Sequence, residues 1–212
     1  MSKYDQEYYM IVLPRQDDLN TNVFPFLTPD EATAKLPFEH SVLPVGSKPL
    51  LFRNGASDYN TKYGRTTIKH PPEVLFAGAH PVISGALREK LLHLDMPNVA
   101  LQPAIYVDDW GTWNEDYWFM TFLSRLDCWD RAKSDFSQSN PPLSIGGMDF
   151  YQVYQFSLDE GVLDTTPIEE RLVFQMGASL DPFVFAHRSV AGLFTRAGGA
   201  QVIAVPHFED EY

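Results

Sequence analysis

The side chains best suited to nucleophilic or metal chemistry are few and scattered along this sequence. The single cysteine, Cys128, stands between Asp127 and Trp129, with Asp130 close behind. Neighbouring negative charge disfavours the thiolate that a cysteine nucleophile requires. None of the six histidines stands at a short metal-ligand spacing from another histidine or from Cys128. We therefore interpret Cys128 as a buried structural residue, and we expect no metal site and no cofactor.

Carboxylates are abundant in this chain, so a pair of them says little about catalysis. Asp108 with Asp109, and Glu115 with Asp116, have the residue types of a glycosidase acid pair. The same residues are equally typical of a solvated acidic loop. The sequence contains no phosphate-binding glycine loop, no nucleophile elbow and no zinc-protease motif. These observations predict that the protein is not an enzyme.

The clearest pattern is a set of acids interleaved with tryptophans between Lys90 and Arg125, a stretch without lysine or arginine. Tryptophan supplies large contact area at protein interfaces, and acids around it complement a basic partner. We predict a partner-binding surface here, with Trp110 exposed. The alternative is that Trp113 or Trp118 belongs to the core and the acids only solvate a turn. The predicted contact residues are Asp108, Asp109, Trp110, Trp113, Glu115 and Asp116.

The net charge of −12 restricts the classes of partner. With 28 acids against 16 bases, the chain lacks the basic face that nucleic-acid binding needs, and it is poorly matched to an anionic membrane. Acids also concentrate in the base-free stretches 134–170 and 209–211. A basic protein is the natural complement of such a charge, although acidity also serves solubility alone.

The compartment follows from what the sequence lacks. Residues 1–10 contain no signal-peptide apolar run, and no segment approaches the roughly 20 apolar residues of a membrane helix. A single cysteine cannot form an internal disulfide. We therefore predict a cytoplasmic protein.

The elements that must position the acids and tryptophans are short and mostly extended. A hairpin is predicted from strands 99–107 and 117–123 around a loop at 108–116. A helix at 85–94 is predicted to start at Ser84, and a second one after Ser189, which we predict to be its cap. The remaining predicted strands are 8–13, 50–53, 73–76, 150–156, 171–175, 182–186 and 201–205.

Strands outnumber helices and do not alternate with them, which predicts an α+β fold with a largely antiparallel or mixed sheet and a few short helices. Segments 54–69 and 157–170 are predicted as loop or turn, 126–134 as a helical turn and 138–147 as a loop. The length fits one domain spanning residues 1–212, with the proline-rich residues 1–48 as a candidate N-terminal lobe.

Several short segments, in this order, resemble a bacterial family. They are residues 81–84, the helix after them, and residues 99–103, 126–130, 172–174 and 184–187. Together they cover roughly residues 50–206 and are similar to immunity protein family eleven of polymorphic-toxin systems, formerly a domain of unknown function. One departure is Ala186, because the family often has an arginine directly after the residue that corresponds to Phe185.

The resemblance implies a protein that binds and neutralises a cognate toxin, of the kind that type VI secretion or contact-dependent systems deliver in interbacterial competition. It supplies no catalytic residues. Two alternatives stay open. One is an enzyme that reverses toxin damage, with His187 and nearby carboxylates as its site. The other is an adaptor or chaperone that loads a secreted effector. The sequence does not determine the oligomeric state.

Overall fold

A computed structural model describes residues 2–15, 22–138 and 141–208, so the acidic stretch 209–211 lies outside the described residues. The strands are Tyr8–Val12 (β1), Asn22–Val23 (β2), Leu27–Pro29 (β3), Leu50–Asn54 (β4), Thr66–Thr67 (β5), Val74–Ala77 (β6), His80–Ser84 (β7), Val99–Val107 (β8), Trp113–Phe122 (β9), Arg125–Leu126 (β10), Asp135–Phe136 (β11), Leu143–Ile145 (β12), Met148–Phe150 (β13), Val153–Gln155 (β14), Val173–Met176 (β15), Val184–His187 (β16) and Gln201–Ala204 (β17). The α-helices are Ser57–Lys62 (α1), Gly85–Leu91 (α2), Glu160–Thr165 (α3) and Arg188–Ala197 (α4).

The larger sheet curls into a small barrel. Its six strands follow the order β3-β4-β8-β9-β7-β6, and a bridge between Phe26 and Phe76 brings its two edges together. Since side chains alternate across each strand, every strand sends residues into the barrel interior. That interior consists of Leu27, Phe38, Leu50, Phe52, Leu75, Val82, Ala104, Tyr106, Tyr117 and Phe119.

A five-stranded sheet lies beside the barrel, with the order β10-β15-β16-β1-β17. Strand β1 pairs antiparallel with both β16 and β17, and within this sheet the described residues form one parallel pair, β10 with β15. An apolar layer joins the two sheets, since Ile11 and Val184 pack in one cluster with Phe76, Met120 and the buried residues of α2 and α4. Segment 1–48 contributes β1 to this sheet and β3 to the barrel. The one-domain organisation stays a prediction.

The opposite face of the five-stranded sheet holds a second apolar cluster around Trp129. Cys128 belongs to it and is completely buried, and this burial raises the pKa of its thiol. The prediction that Cys128 is buried is therefore confirmed. Among the described residues, no helix combines the length and apolarity needed to cross a membrane.

The predicted fold class is confirmed, because the described chain is strand-rich, with mixed and antiparallel sheets and short helices. The predicted start of α2 is also confirmed, since the Ser84 hydroxyl accepts a hydrogen bond from the Leu87 amide at 3.2 Å. Helix α4 ends at Ala197, and Gly198 follows it with a φ of 74° that favours glycine.

Other predicted elements are wrong, and the two helices that were missed share a cause. Residues 54–69 contain α1 and β5, and residues 157–170 contain α3, whose cap is Asp159. Both helices are mostly polar and bury only Asn60 and Leu163, so they lack the apolar repeat that would have revealed them. Residues 150–156 form parts of two strands, β13 and β14, rather than one.

Two further corrections concern helix boundaries. The segment 126–134 begins with the end of β10 and a bridge between Trp129 and Leu158. The predicted helical turn forms only at its end, where the Ser134 amide donates to the Asp130 carbonyl at 2.9 Å. Ser189 is not the cap of α4, because the His187 ring accepts the hydrogen bond from the Ser189 amide. Histidine is an uncommon helix cap, which explains why the hydroxyl of Ser189 was the stronger signal in the sequence.

Candidate functional site

The predicted contact residues lie at the tip of the β8–β9 hairpin. The loop is shorter than predicted, because β9 already begins at Trp113, which pairs with Val107. The connection therefore consists of residues 108–112, and the predicted loop boundary at Asp116 is wrong. Trp113, Glu115 and Asp116 belong to the strand.

Asp108 holds this turn together. Its Oδ1 accepts hydrogen bonds from the backbone amides of Trp110 at 3.0 Å and Thr112 at 2.8 Å. The Asp108 amide also donates to the Thr112 carbonyl, and the Gly111 amide donates to the Asp108 carbonyl. The turn needs glycine at position 111, where φ is 82°. One oxygen of the Asp108 carboxylate is therefore committed to the turn itself.

Asp109 ties the turn to the barrel. Its Oδ2 accepts hydrogen bonds from Asn54 Nδ2 at 2.9 Å and from the Thr67 hydroxyl at 2.6 Å. Asn54 and Thr67 are buried and also bond to each other, with 2.9 Å between Nδ2 and Oγ1. Hydrogen bonds to a carboxylate are among the stronger ones in proteins. The tip is consequently fixed to β4 and β5.

The two tryptophans of the tip face solvent. Trp110 is 53% exposed and Trp113 is 55% exposed, so the predicted exposure of Trp110 is confirmed and a core role for Trp113 is excluded. Trp118 is different. It packs against the apolar layer between the sheets, and the guanidinium of Arg88 lies 3.8 Å from its ring centroid.

Glu115 and Asp116 occupy a β-bulge. Tyr106 pairs with Asn114 and Ala104 pairs with Tyr117, so Glu115 and Asp116 together lie opposite the single residue between Ala104 and Tyr106. Both acids are exposed. The structure thus gathers Asp108, Asp109, Trp110 and Trp113 at the tip and places Glu115 and Asp116 beside them along β9.

Asp116 has a second neighbour, the start of helix α2. Its carboxylate lies directly over Gly85, where a Cβ atom would come within 2.1 Å of the Asp116 Oδ1. Position 85 therefore accommodates only glycine while Asp116 keeps this orientation.

The proposed catalytic alternative centres on His187. Its Nδ1 lies 2.8 Å from the Ser189 hydroxyl, and its Nε2 lies 3.8 Å from a carboxylate oxygen of Glu7. A serine, a histidine and an acid thus meet, but 3.8 Å is too long for a hydrogen bond. Desolvation lowers the pKa of His187, although the negative charge of Glu7 opposes this shift. Since the ring also caps α4, the geometry supports a structural role.

Within residues 2–15, 22–138 and 141–208, no three His, Cys, Asp or Glu side chains are grouped so that they could hold a metal ion. Ala186, the departure from the family pattern, is completely buried in the apolar layer between the sheets.

A groove of about 800 Å³ opens at the other end of β9, and the sequence analysis did not predict it. Its lining includes residues 122–125, Gly177, Ala178 and Leu180, together with residues of β12 and β13. The prediction that 138–147 is a loop is wrong at Leu143–Ile145, which form β12. A usable signal was present, because Gly146 and Gly147 between two short apolar segments are typical of a tight hairpin.

A strand-rich α+β fold with an exposed aromatic tip and an open apolar groove is suited to binding another molecule. The comparison with known families makes this specific. Residues 25–186 match the immunity protein family Imm11, which is more than half of the 212 residues, and the chain belongs to this family. The resemblance drawn from the sequence is thereby confirmed.

The matched range extends from just before β3 to within β16, so it includes the barrel, the acidic tip and the groove. No curated protein matches this chain.

Proposed function

We propose that this protein binds a cognate bacterial toxin and neutralises it in the cytoplasm. The observation that carries the proposal is the match of residues 25–186 to an immunity protein family, which supports a toxin-neutralising role and a protein partner. In this proposal the partner is a toxin from a polymorphic-toxin or type VI secretion system.

We propose further that one contact surface is the acidic–aromatic tip, defined as Asp108, Asp109, Trp110, Trp113, Glu115 and Asp116. Its exposed tryptophans offer the amphipathic contact area that dominates many interfaces. Its acids, in a chain of net charge −12, suit a basic toxin surface. Because Asp108 and Asp109 are held by hydrogen bonds, the tip is already ordered and binding costs less conformational entropy.

Neutralisation in this proposal is stoichiometric and does not involve catalysis. The bound protein occludes the toxin active site or prevents a motion that the toxin needs. The capping role of His187 supports this reading over an enzyme that reverses toxin damage, because the ring is committed to the start of α4.

The test is co-expression with the toxin encoded by the neighbouring gene. We expect full rescue of growth and a complex that survives size-exclusion chromatography. A correctly folded protein that fails to rescue growth would contradict the proposal. Titration of purified toxin separates the alternatives: protection at far less than one equivalent indicates an enzyme, whereas a tight complex that leaves the toxin active indicates an adaptor.

A further inference from the structure

The β12–β13 hairpin has one entirely apolar face. Leu143 pairs with Phe150, and Ile145 pairs with Met148, so these four side chains share one side of the ribbon. Ser144 and Asp149 share the other side and bond to each other. An isolated two-stranded ribbon is marginally stable in water, and it usually packs its apolar face against the protein.

Here the apolar face is open. Leu143 is 52% exposed, Ile145 is 57% exposed and Met148 is 62% exposed. All four apolar residues of the ribbon line the groove of about 800 Å³ rather than filling it. A groove of this size matches those that hold ligands or peptide side chains. Contiguous exposed apolar surface of this kind marks interaction sites.

The groove is also lined by Arg125, an arginine with unused donors. The Arg125 Nε donates to Gln175 Oε1 at 3.0 Å, and the Arg125 side chain makes no other hydrogen bond or ion pair within the described ranges. Burial lowers the pKa of Arg125, and the negative charge of Glu39 opposes that shift without an ion pair forming. The two terminal nitrogens of the guanidinium are therefore free to hold a carboxylate in a bidentate pair.

Arg131 lines the same groove but differs from Arg125 in that its terminal nitrogens are already bonded. Its two terminal nitrogens already bond to the two Asp127 carboxylate oxygens at 2.6 and 2.7 Å. Its guanidinium also lies 4.1 Å from the Trp129 ring centroid. Of the two arginines, only Arg125 has its terminal donors available.

The residues behind Arg125 are arranged at some cost to the fold. Gln175 is completely buried, and its Nε2 has no partner among the residues that the structure describes. Ala178, on the groove wall, has a φ of 50°, and no other described non-glycine residue has a positive φ. Strain and unpaired buried groups concentrate at functional sites in proteins.

We infer that this groove, between the β12–β13 ribbon and Arg125, is a docking site for a toxin segment that carries a carboxylate next to apolar side chains. This inference rests on the proposed function. The carboxylate pairs with Arg125 while the apolar side chains cover Leu143, Ile145 and Met148. A segment of protein fits better than a small molecule, because the exposed ribbon extends the apolar surface along both strands.

The experiment measures affinity for a catalytically inactive form of the toxin encoded by the neighbouring gene, by isothermal titration calorimetry. We expect Arg125→Gln to weaken binding about 30-fold, as a buried charge contact at an interface does. The double variant L143S/I145S should weaken it about 10-fold or more through loss of apolar contact. The matched controls, Arg131→Gln and Ser144→Ala, should change affinity less than about threefold.

Hydrogen exchange on the unmodified protein gives a second reading that needs no variant. Amides of residues 143–150 should exchange more slowly when the toxin is bound. Wild-type binding with unchanged affinity in Arg125→Gln and in L143S/I145S, or with unchanged exchange at 143–150, would overturn this inference alone. A wild-type protein that neither binds nor protects would overturn both this inference and the proposed function.

Discussion

The two ends of strand β9 differ in how far their polar groups are satisfied within the chain. At the acidic–aromatic tip, Asp108 and Asp109 together accept hydrogen bonds from two backbone amides, an asparagine and a threonine. At the groove, Arg125 uses one donor and leaves its terminal nitrogens free. Since β9 has ten residues, the two ends lie roughly 30 Å apart.

The difference shows that a charged residue in the sequence does not reveal whether its side chain is bonded within the fold or free to bind a partner. The acids of the tip are conspicuous in the sequence, yet two of them also serve the fold. Their substitution therefore changes stability and binding together. Arg125 and the β12–β13 ribbon are inconspicuous, yet they leave donors and apolar surface uncovered. Substitutions at the groove should consequently affect binding more than folding.

Glycine substitutions provide the largest contrast between the two ends. A Cβ at Gly177 would lie 2.8 Å from the Asp127 backbone nitrogen, whereas one at Gly111 would meet nothing within 4 Å. We expect Gly177→Ala to lower the free energy of unfolding by about 3 kcal/mol through overpacking against backbone. Gly111→Ala should cost only about 1 kcal/mol, from its positive φ. Urea unfolding measures both, and equal losses would contradict the contrast.

Removal of the exposed tryptophans tests whether the tip binds at all. We expect Trp110→Ala and Trp113→Ala each to weaken toxin binding about 10- to 30-fold, because exposed tryptophans are frequent interface anchors. Their thermal stability should stay near that of the wild type. Leu92→Ala, at an exposed apolar position after α2, is the control. Undiminished calorimetric affinity in both tryptophan variants would remove the tip from the interface.

Asp108 allows the structural and electrostatic roles of the tip to be separated. Asp108→Ala removes the acceptor for two amides and should lower the free energy of unfolding by about 1.5 kcal/mol. Asp108→Asn keeps an acceptor oxygen and should stay within about 0.5 kcal/mol of the wild type. The affinity of Asp108→Asn at low salt then reports the charge alone. An Asp108→Ala variant as stable as the wild type would show that the carboxylate does not hold the turn.

The smallest effect is expected for the strained residue of the groove. Ala178→Gly relieves the positive φ but adds flexibility to the unfolded chain, so the net gain in unfolding free energy should be about 0.5 kcal/mol. Chemical denaturation measures it. A loss of more than about 1 kcal/mol would mean that the alanine side chain contributes packing that outweighs its strain.

The sequence predicted those elements of the fold that depend on neighbouring residues. Strand β8 and the start of α2 were predicted because apolar runs and the cap at Ser84 depend on neighbouring residues. The bonds of Asp109 could not be predicted, since Asn54 and Thr67 lie 55 and 42 residues away. The groove likewise joins segments near residues 125, 145 and 178, and no local pattern relates them.

The central position of β1 in the five-stranded sheet has a consequence for synthesis. Residues 8–12 are translated long before their partners in β16 and β17, which lie at 184–187 and 201–204. Pairing over such separations is entropically slow, and it cannot start before β16 has been translated. An incomplete chain that ends before residue 184 leaves β1 without either neighbour. Such a product exposes both edges of β1 and is a target for proteolysis.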